Sequence, residues 1–181
     1  MVKRVSQIML LLVVAVTSSF FQQEKNEVDE YTAKTAFIYN FTKFVEWGNT
    51  DSNPKSSFVI GVIGDSPIQQ HLLSLASTKT INGKKIEVVR CLATSAENCR
   101  CEILFVPENV SSEDFQEFIS SLSTSNVLII SEKKGFLTQG SAINFLIMEN
   151  KIKFEINVRS LTKSNLKASS QLLKLATNIQ Y

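Results

Sequence analysis

Ser57-Phe58-Val59-Ile60-Gly61-Val62-Ile63-Gly64-Asp65-Ser66-Pro67 is the stretch on which the fold turns. An apolar run rich in β-branched residues and ended by glycine has the composition of a strand buried on both faces. A hydroxyl followed by proline then marks a helix start, with Ser66 as N-cap and Pro67 as the first helical residue. Ile68, Leu72, Leu75 and Ala76 supply that helix with an apolar face. A strand that runs directly into a helix is the first half of a βαβ unit.

Downstream the pattern repeats. Asn82-Gly83 signals a turn, and Lys85 to Arg90 and Glu102 to Val106 read as the second and third strands. Ser111 opens a helix whose Phe115, Phe118, Ile119 and Leu122 share one face, and Asn126 to Ile130 is a fourth strand. Strands alternating with helices imply a largely parallel sheet. The end of the chain differs. Ala142 to Met148 and Lys151 to Asn157 form an antiparallel hairpin about a tight turn at Glu149-Asn150, since Ile152, Phe154 and Ile156 alternate with polar neighbours. Helix is expected from about Arg159 onward, with Leu172, Leu175, Ala176 and Ile179 facing inward. Upstream, Glu27 to Trp47 reads as one long amphipathic helix ended by Gly48, and Gly48 to Ser57 as the most linker-like stretch. The expected fold is therefore α/β: a three-layer sandwich, mostly parallel sheet with a C-terminal antiparallel hairpin, and helices on both faces.

The N-terminus reads as a leader. Lys3 and Arg4 precede nine apolar residues, Ile8 to Val16, and then Thr17, Ser18 and Ser19. A charged start, a short apolar middle and a small-residue end are the parts of a secretory signal peptide, expected to be cleaved after residue 18 or 19. The apolar run is shorter than the ~20 residues that span a bilayer, so no direct membrane insertion is expected. Residues 20–181 are then one domain. The chain has 19 Lys+Arg against 17 Asp+Glu; with Lys3 and Arg4 gone the balance is 17 to 17. A neutral chain without a basic cluster lacks the electrostatic term behind nucleic-acid binding. Three cysteines, Cys91, Cys99 and Cys101, lie close together. In an oxidising compartment such neighbours form a disulfide with one left over, and spacing allows Cys91 to pair with either of the others. No metal or cofactor is expected, because the only histidine, His71, lies away from the cysteines.

Catalytic machinery is hard to assemble from these residues. A serine triad needs a histidine base, and His71 sits mid-helix. No P-loop, G-x-S-x-G or G-x-G-x-x-G is present. Two features remain for binding. Gly64, Asp65 and Ser66 stand at the carboxyl end of a parallel strand, where open α/β sheets place ligand crevices. On the first helix, Tyr39 and Trp47 fall outside the apolar arc, with Asn40 and Lys43 on the polar face. Such amphipathic rings suit an interface.

Ala36-Phe37-Ile38-Tyr39-Asn40-Phe41-Thr42-Lys43-Phe44-Val45-Glu46-Trp47 resembles the opening signature of YfiR-like proteins. Further segments agree in order: Phe58 to Asp65, Lys79 to Gly83, Arg90-Cys91, Cys101 to Val106, Gly135-Phe136, Ile143 to Phe145, Lys153 to Asn157 and Ser169 to Leu173. The similarity covers about Tyr31 to Thr177, and departs at Gly48, where the family commonly has proline. It implies a periplasmic, non-catalytic repressor that binds the periplasmic domain of an inner-membrane sensor or diguanylate cyclase. Through that contact it would govern cyclic di-GMP output and biofilm behaviour. The resemblance also implies a possible homodimer, and a disulfide between Cys91 and Cys101 with Cys99 as the alternative partner of Cys91. A small-solute-binding module using the Gly64–Ser66 crevice is the competing reading.

Overall fold

The computed structural model describes residues 30–48, 57–92, 96, 99–122 and 126–181. The leader expected at 1–19, the first residues of the helix expected from Glu27, and most of the linker expected between Gly48 and Ser57 lie outside them. Within the described residues, helix α1 (30–41) is followed by strands β1 (Val45–Trp47) and β2 (Ser57–Ile63), helix α2 (Ile68–Thr78), and strands β3 (Thr80–Ile81) and β4 (Lys84–Cys91). Next come β5 (Ile103–Val106), α3 (Ser112–Ser121), β6 (Leu128–Ser131) and α4 (Phe136–Gln139). The hairpin β7 (Ile143–Met148) and β8 (Lys151–Asn157) leads to α5 (Val158–Lys163), β9 (Leu166–Ala168), α6 (Ser170–Leu175) and β10 (Asn178–Gln180).

Eight strands form the main sheet in the order β10-β8-β7-β6-β5-β2-β4-β3. Pairing is parallel from β4 through β2, β5 and β6 to β7, and antiparallel in the β7–β8 hairpin and between β3 and β4. The expected α/β sandwich is therefore the fold observed. Alternation along the central strands explains its layers. Ile60 and Val62 of β2, Ile103 and Phe105 of β5, and Leu128 and Ile130 of β6 enter one core, with Ile38 and Phe41 of α1, Ile68 and Leu72 of α2, Leu161 of α5 and Leu172 of α6. Ile63, Leu104, Val106 and Ile129 point the other way, into a second core with Phe115 and Phe118 of α3 and Phe136 of α4. Phe115 and Phe136 stack at 4.5 Å. Burying a ring of that size stabilises the fold by roughly 1.5–3 kcal/mol.

Turn chemistry follows the sequence closely. Asn82 and Gly83 both have positive φ (50° and 76°), as do Glu149 and Asn150 (52° and 57°); two-residue turns of this kind match the twist of the strands they join. Ser111 caps α3, accepting a hydrogen bond from the Asp114 backbone N–H at 3.0 Å.

Three expectations fail. First, the helix expected to reach Trp47 stops at residue 41: Lys43 N–H and Phe44 N–H donate to the Asn40 and Phe41 carbonyls, tightening the chain into a turn. Val45–Trp47 then pairs antiparallel with Leu166–Ala168, a small sheet whose partner lies far along the chain. Second, the C-terminal region is not one helix. Asn165, at φ 56°, turns the chain out of α5 into β9, as a left-handed residue past a helix end commonly does. Ile179 lies in β10 opposite Ile156, and Leu175 is 63 % exposed instead of facing inward, because α6 ends there. Third, Ser66 does not cap α2: no side-chain cap bond is made, and its hydroxyl is buried without a hydrogen-bond partner.

Candidate functional site

β2 occupies the switch point of the sheet. The chain leaves it through α2 to reach β4 on one side and later returns to β5 on the other, so the loops after β2 and β5 splay apart. Ligand crevices form outside the carboxyl ends of such strands. Here a crevice of about 350 Å³ is lined by Asp65, Ser66 and Pro67 from β2 and by Pro107, Glu108 and Asn109 from β5, with Tyr31 and Glu132 at its sides. Gly64, at φ 65°, makes the turn, its N–H donating to the Cys91 carbonyl at 2.9 Å. Asp65 is held by Arg90 through two contacts of 2.8 Å. Asn109 Nδ2 donates to the Asp65 carbonyl at 3.3 Å, lacing the two loops together. The walls mix apolar surface from Tyr31, Pro67 and Pro107 with three carboxylates.

One of these belongs to a charged network that sequence reading missed. Lys34 of α1 is 4 % exposed and ion-paired with both Glu30 and Glu132. Glu132 also accepts from the Glu108 N–H at 3.2 Å. The Glu30–Lys34 half has i,i+4 helical spacing and was visible in sequence; the contact across to the end of β6 was not.

The four residues expected at a partner interface divide. Tyr39, Asn40 and Lys43 come together: Lys43 Nζ donates to Asn40 Oδ1 at 2.9 Å and lies 4.7 Å from the centre of the Tyr39 ring. The Tyr39 hydroxyl donates to the Thr80 carbonyl at 3.4 Å. Trp47 instead belongs to β1 and packs edge-on against Phe58 at 5.6 Å.

A more prominent surface lies at the other end of α1. Ile147 and Met148, 58 % and 49 % exposed, stand at the tip of the β7–β8 hairpin. Ile147 lines a cleft of about 470 Å³ with Glu30, Ala33 and Phe37 of α1 and with Asn150, Lys151 and Ile152. Phe37 forms the cleft's inner wall, in ring contact with Phe41, Phe145 and Phe154. The alternation that identified the hairpin said nothing of how far its tip extends.

His71 meets Thr32 Oγ1 at 3.2 Å and the Tyr31 ring at 6.2 Å, linking α2 to α1. Among the described residues no group of three or more His, Cys, Asp or Glu side chains is arranged to hold a metal ion, and no helix is long and apolar enough to cross a membrane.

The cysteines pair differently from the expectation set by resemblance. Cys91 is bonded to Cys99, their Cα atoms 5.3 Å apart, and not to Cys101, which lies outside the bridge with its Sγ 3.9 Å from that of Cys99. Cys99 N–H donates to the Ala96 carbonyl at 3.0 Å, which helps to hold Cys99 near the end of β4.

A family model described as YfiR/HmsC-like matches residues 31–177, most of the chain. Comparison with curated proteins gives no match.

Proposed function

This chain belongs to the YfiR/HmsC-like family, and from that membership we propose that it is an exported, non-catalytic protein that restrains an inner-membrane signalling protein of the diguanylate cyclase type by direct contact. The family is one of periplasmic regulators associated with membrane sensors. In this reading residues 1–19 are a cleaved signal peptide, residues 20–181 act in the periplasm as one domain, and cyclic di-GMP output and biofilm behaviour follow partner occupancy.

The observation that carries the contact mechanism is the exposed Ile147 lining the α1 cleft, with the exposed Met148 on the opposite face of the same strand tip. Large apolar side chains exposed on both faces of a hairpin tip lose free energy to water unless covered, and Met is an adaptable contact residue. The cluster of Tyr39, Asn40 and Lys43 supplies a polar contact surface on the same helix.

The test is capture of the partner from solubilised inner membranes by the tagged mature protein, with identification of what is retained. Ile147→Asp/Met148→Asp should fold normally and lose a membrane sensor that the parent protein retains. Retention undiminished by both substitutions would remove this surface from the mechanism; recovery of no membrane sensor at all would remove the mechanism.

A second reading has one observation in its favour: the Gly64–Ser66 crevice sits at the switch point of the sheet, facing Glu108 and Asn109. Its mixed lining, with carboxylates and the Asn109 amide, suits a small hydrogen-bonding solute. That reading predicts saturable binding of a metabolite, abolished by bulky substitution at Ser66 and indifferent to the Ile147/Met148 pair.

A further inference from the structure

In the crevice beyond β2, Ser66 is 8 % exposed, lines the opening, and has a hydroxyl without a hydrogen-bond partner. A buried hydroxyl left in that state costs free energy, and a bound group that donates to it recovers the loss. The start of α2 makes no use of it, since no side chain caps that helix.

The charges around Ser66 are one-sided. Glu132, its side chain 6 % exposed, and Glu30 share Lys34, so negative charge is left over where little water reaches. Glu108 lines the same crevice, and among the described residues its carboxylate has no cation within ion-pairing distance. Lys134 lines the adjoining cleft with Glu108 and Glu132 but pairs with neither. Asp65 is matched by Arg90 and fronts α2, so the positive end of that helix does not reverse the balance. Among the described residues no three acidic, His or Cys side chains converge as a metal ion requires. The excess negative charge therefore suits an organic cation.

We propose that this crevice binds a small organic ammonium, a primary amine on a short apolar stem. An ammonium group has N–H donors and no acceptor, which complements a lining where the Glu108 carboxylate and Ser66 Oγ can both accept. Tyr31, Pro67 and Pro107 give the stem apolar surface. The volume of about 350 Å³ admits a ligand of this size. Amine binding here presupposes the second reading above, in which the crevice holds a solute, and names the chemical class of that solute.

Three probes with one stem separate the head groups: butylamine is a cation, butan-1-ol is neutral and butyrate is an anion. Each is titrated into the isotopically labelled mature protein at low salt, and backbone amide shifts are followed by NMR. Butylamine should give saturable shifts at Asp65, Ser66, Glu108 and Asn109, and the other two should give none. Glu108→Gln should weaken butylamine about tenfold and Ser66→Ala about threefold, with spectra otherwise like the parent. Raising the salt concentration should weaken binding further, as screening of a charge interaction requires. Butan-1-ol or butyrate binding at these amides as well as butylamine would overturn the charge assignment while leaving a solute crevice in place. Butylamine shifts that survive Glu108→Gln undiminished would put the amine elsewhere and overturn the site. Absence of any butylamine shift would overturn the inference, and the broader solute reading falls with it only if a mixture of neutral and anionic metabolites is also inert.

Discussion

At position 48 a β-carbon would be driven into the side chain of Asn165, while the Gly48 N–H donates to the Asn165 carbonyl at 3.0 Å and extends the small β1–β9 sheet. Proline has no N–H to give and brings the added bulk as well. Gly48→Pro is therefore expected to lower stability by about 1–2 kcal/mol, read as a lower urea midpoint. Gly48→Ala should cost less, because the Asn165 amide can rotate away from Asn126, which it meets at 3.2 Å; an unchanged midpoint for the proline variant would exclude the bond. A second residue pair lies wholly inside the sheet. Ser131 Oγ donates to Asn144 Oδ1 at 2.6 Å with both side chains buried, and Asn144 Nδ2 donates onward at 3.3 Å to the Phe145 carbonyl and to Glu155. Asn144→Ala strands the Ser131 hydroxyl, and we expect a loss of about 2–3 kcal/mol. Ser131→Ala added to it should then be nearly neutral. Additive losses in that double-mutant cycle would show that the two do not act as a unit.

At the scale of elements, α1 is held at one end by rings and at the other by charge. Phe41 meets Phe154 at 5.0 Å and Phe145 at 5.9 Å, whereas Lys34 joins Glu30 and Glu132 where little water reaches. Lys34→Ala leaves two carboxylates facing each other, one of them deeply buried, so a loss of about 3 kcal/mol is expected. Lys34→Met combined with Glu132→Gln should recover much of it, since the removal of an entire buried pair is far less costly than the removal of one partner. Equal losses for the single and double variants would place the cost in packing instead. The same helix shows where sequence reading stops. Its apolar face was legible in the spacing of Phe37, Ile38 and Phe41, but its end was not, because Val45–Trp47 becomes strand only through pairing with Leu166–Ala168. Ser57–Ile63, Asn82-Gly83, the Ser111 cap and the Glu149-Asn150 hairpin were all legible, each being decided by neighbours within a few residues. The two features that now define the candidate surfaces, the Lys34–Glu132 contact and the cleft between α1 and the hairpin, join residues about a hundred positions apart. No periodicity carries that information.

For the whole molecule, the two cores share one sheet, and neither can melt while its strands still support the other. A single cooperative unfolding transition is the expectation, with fluorescence and circular dichroism giving coincident curves. The disulfide acts on that equilibrium from the unfolded side. Cys91 and Cys99 are separated by 8 positions, and closing so short a loop is worth about 2.5 kcal/mol in the chain-entropy model. Against a typical total of about 5–15 kcal/mol this is a large share, and reduction should lower the urea midpoint by about 1–2 M while leaving the slope nearly unchanged. Cys91→Ser, which removes the one cysteine common to both cross-strand pairings, should reproduce that shift without reductant. Cys99→Ser should not, because a bridge to Cys101 closes a loop of almost the same length. Equal destabilisation by the two substitutions would mean that the structure depends on one fixed bridge. A stable Cys99→Ser protein that loses its stability on reduction would mean that the oxidised fold accepts either pairing, so that oxidation itself, rather than the choice of partner cysteine, secures the fold.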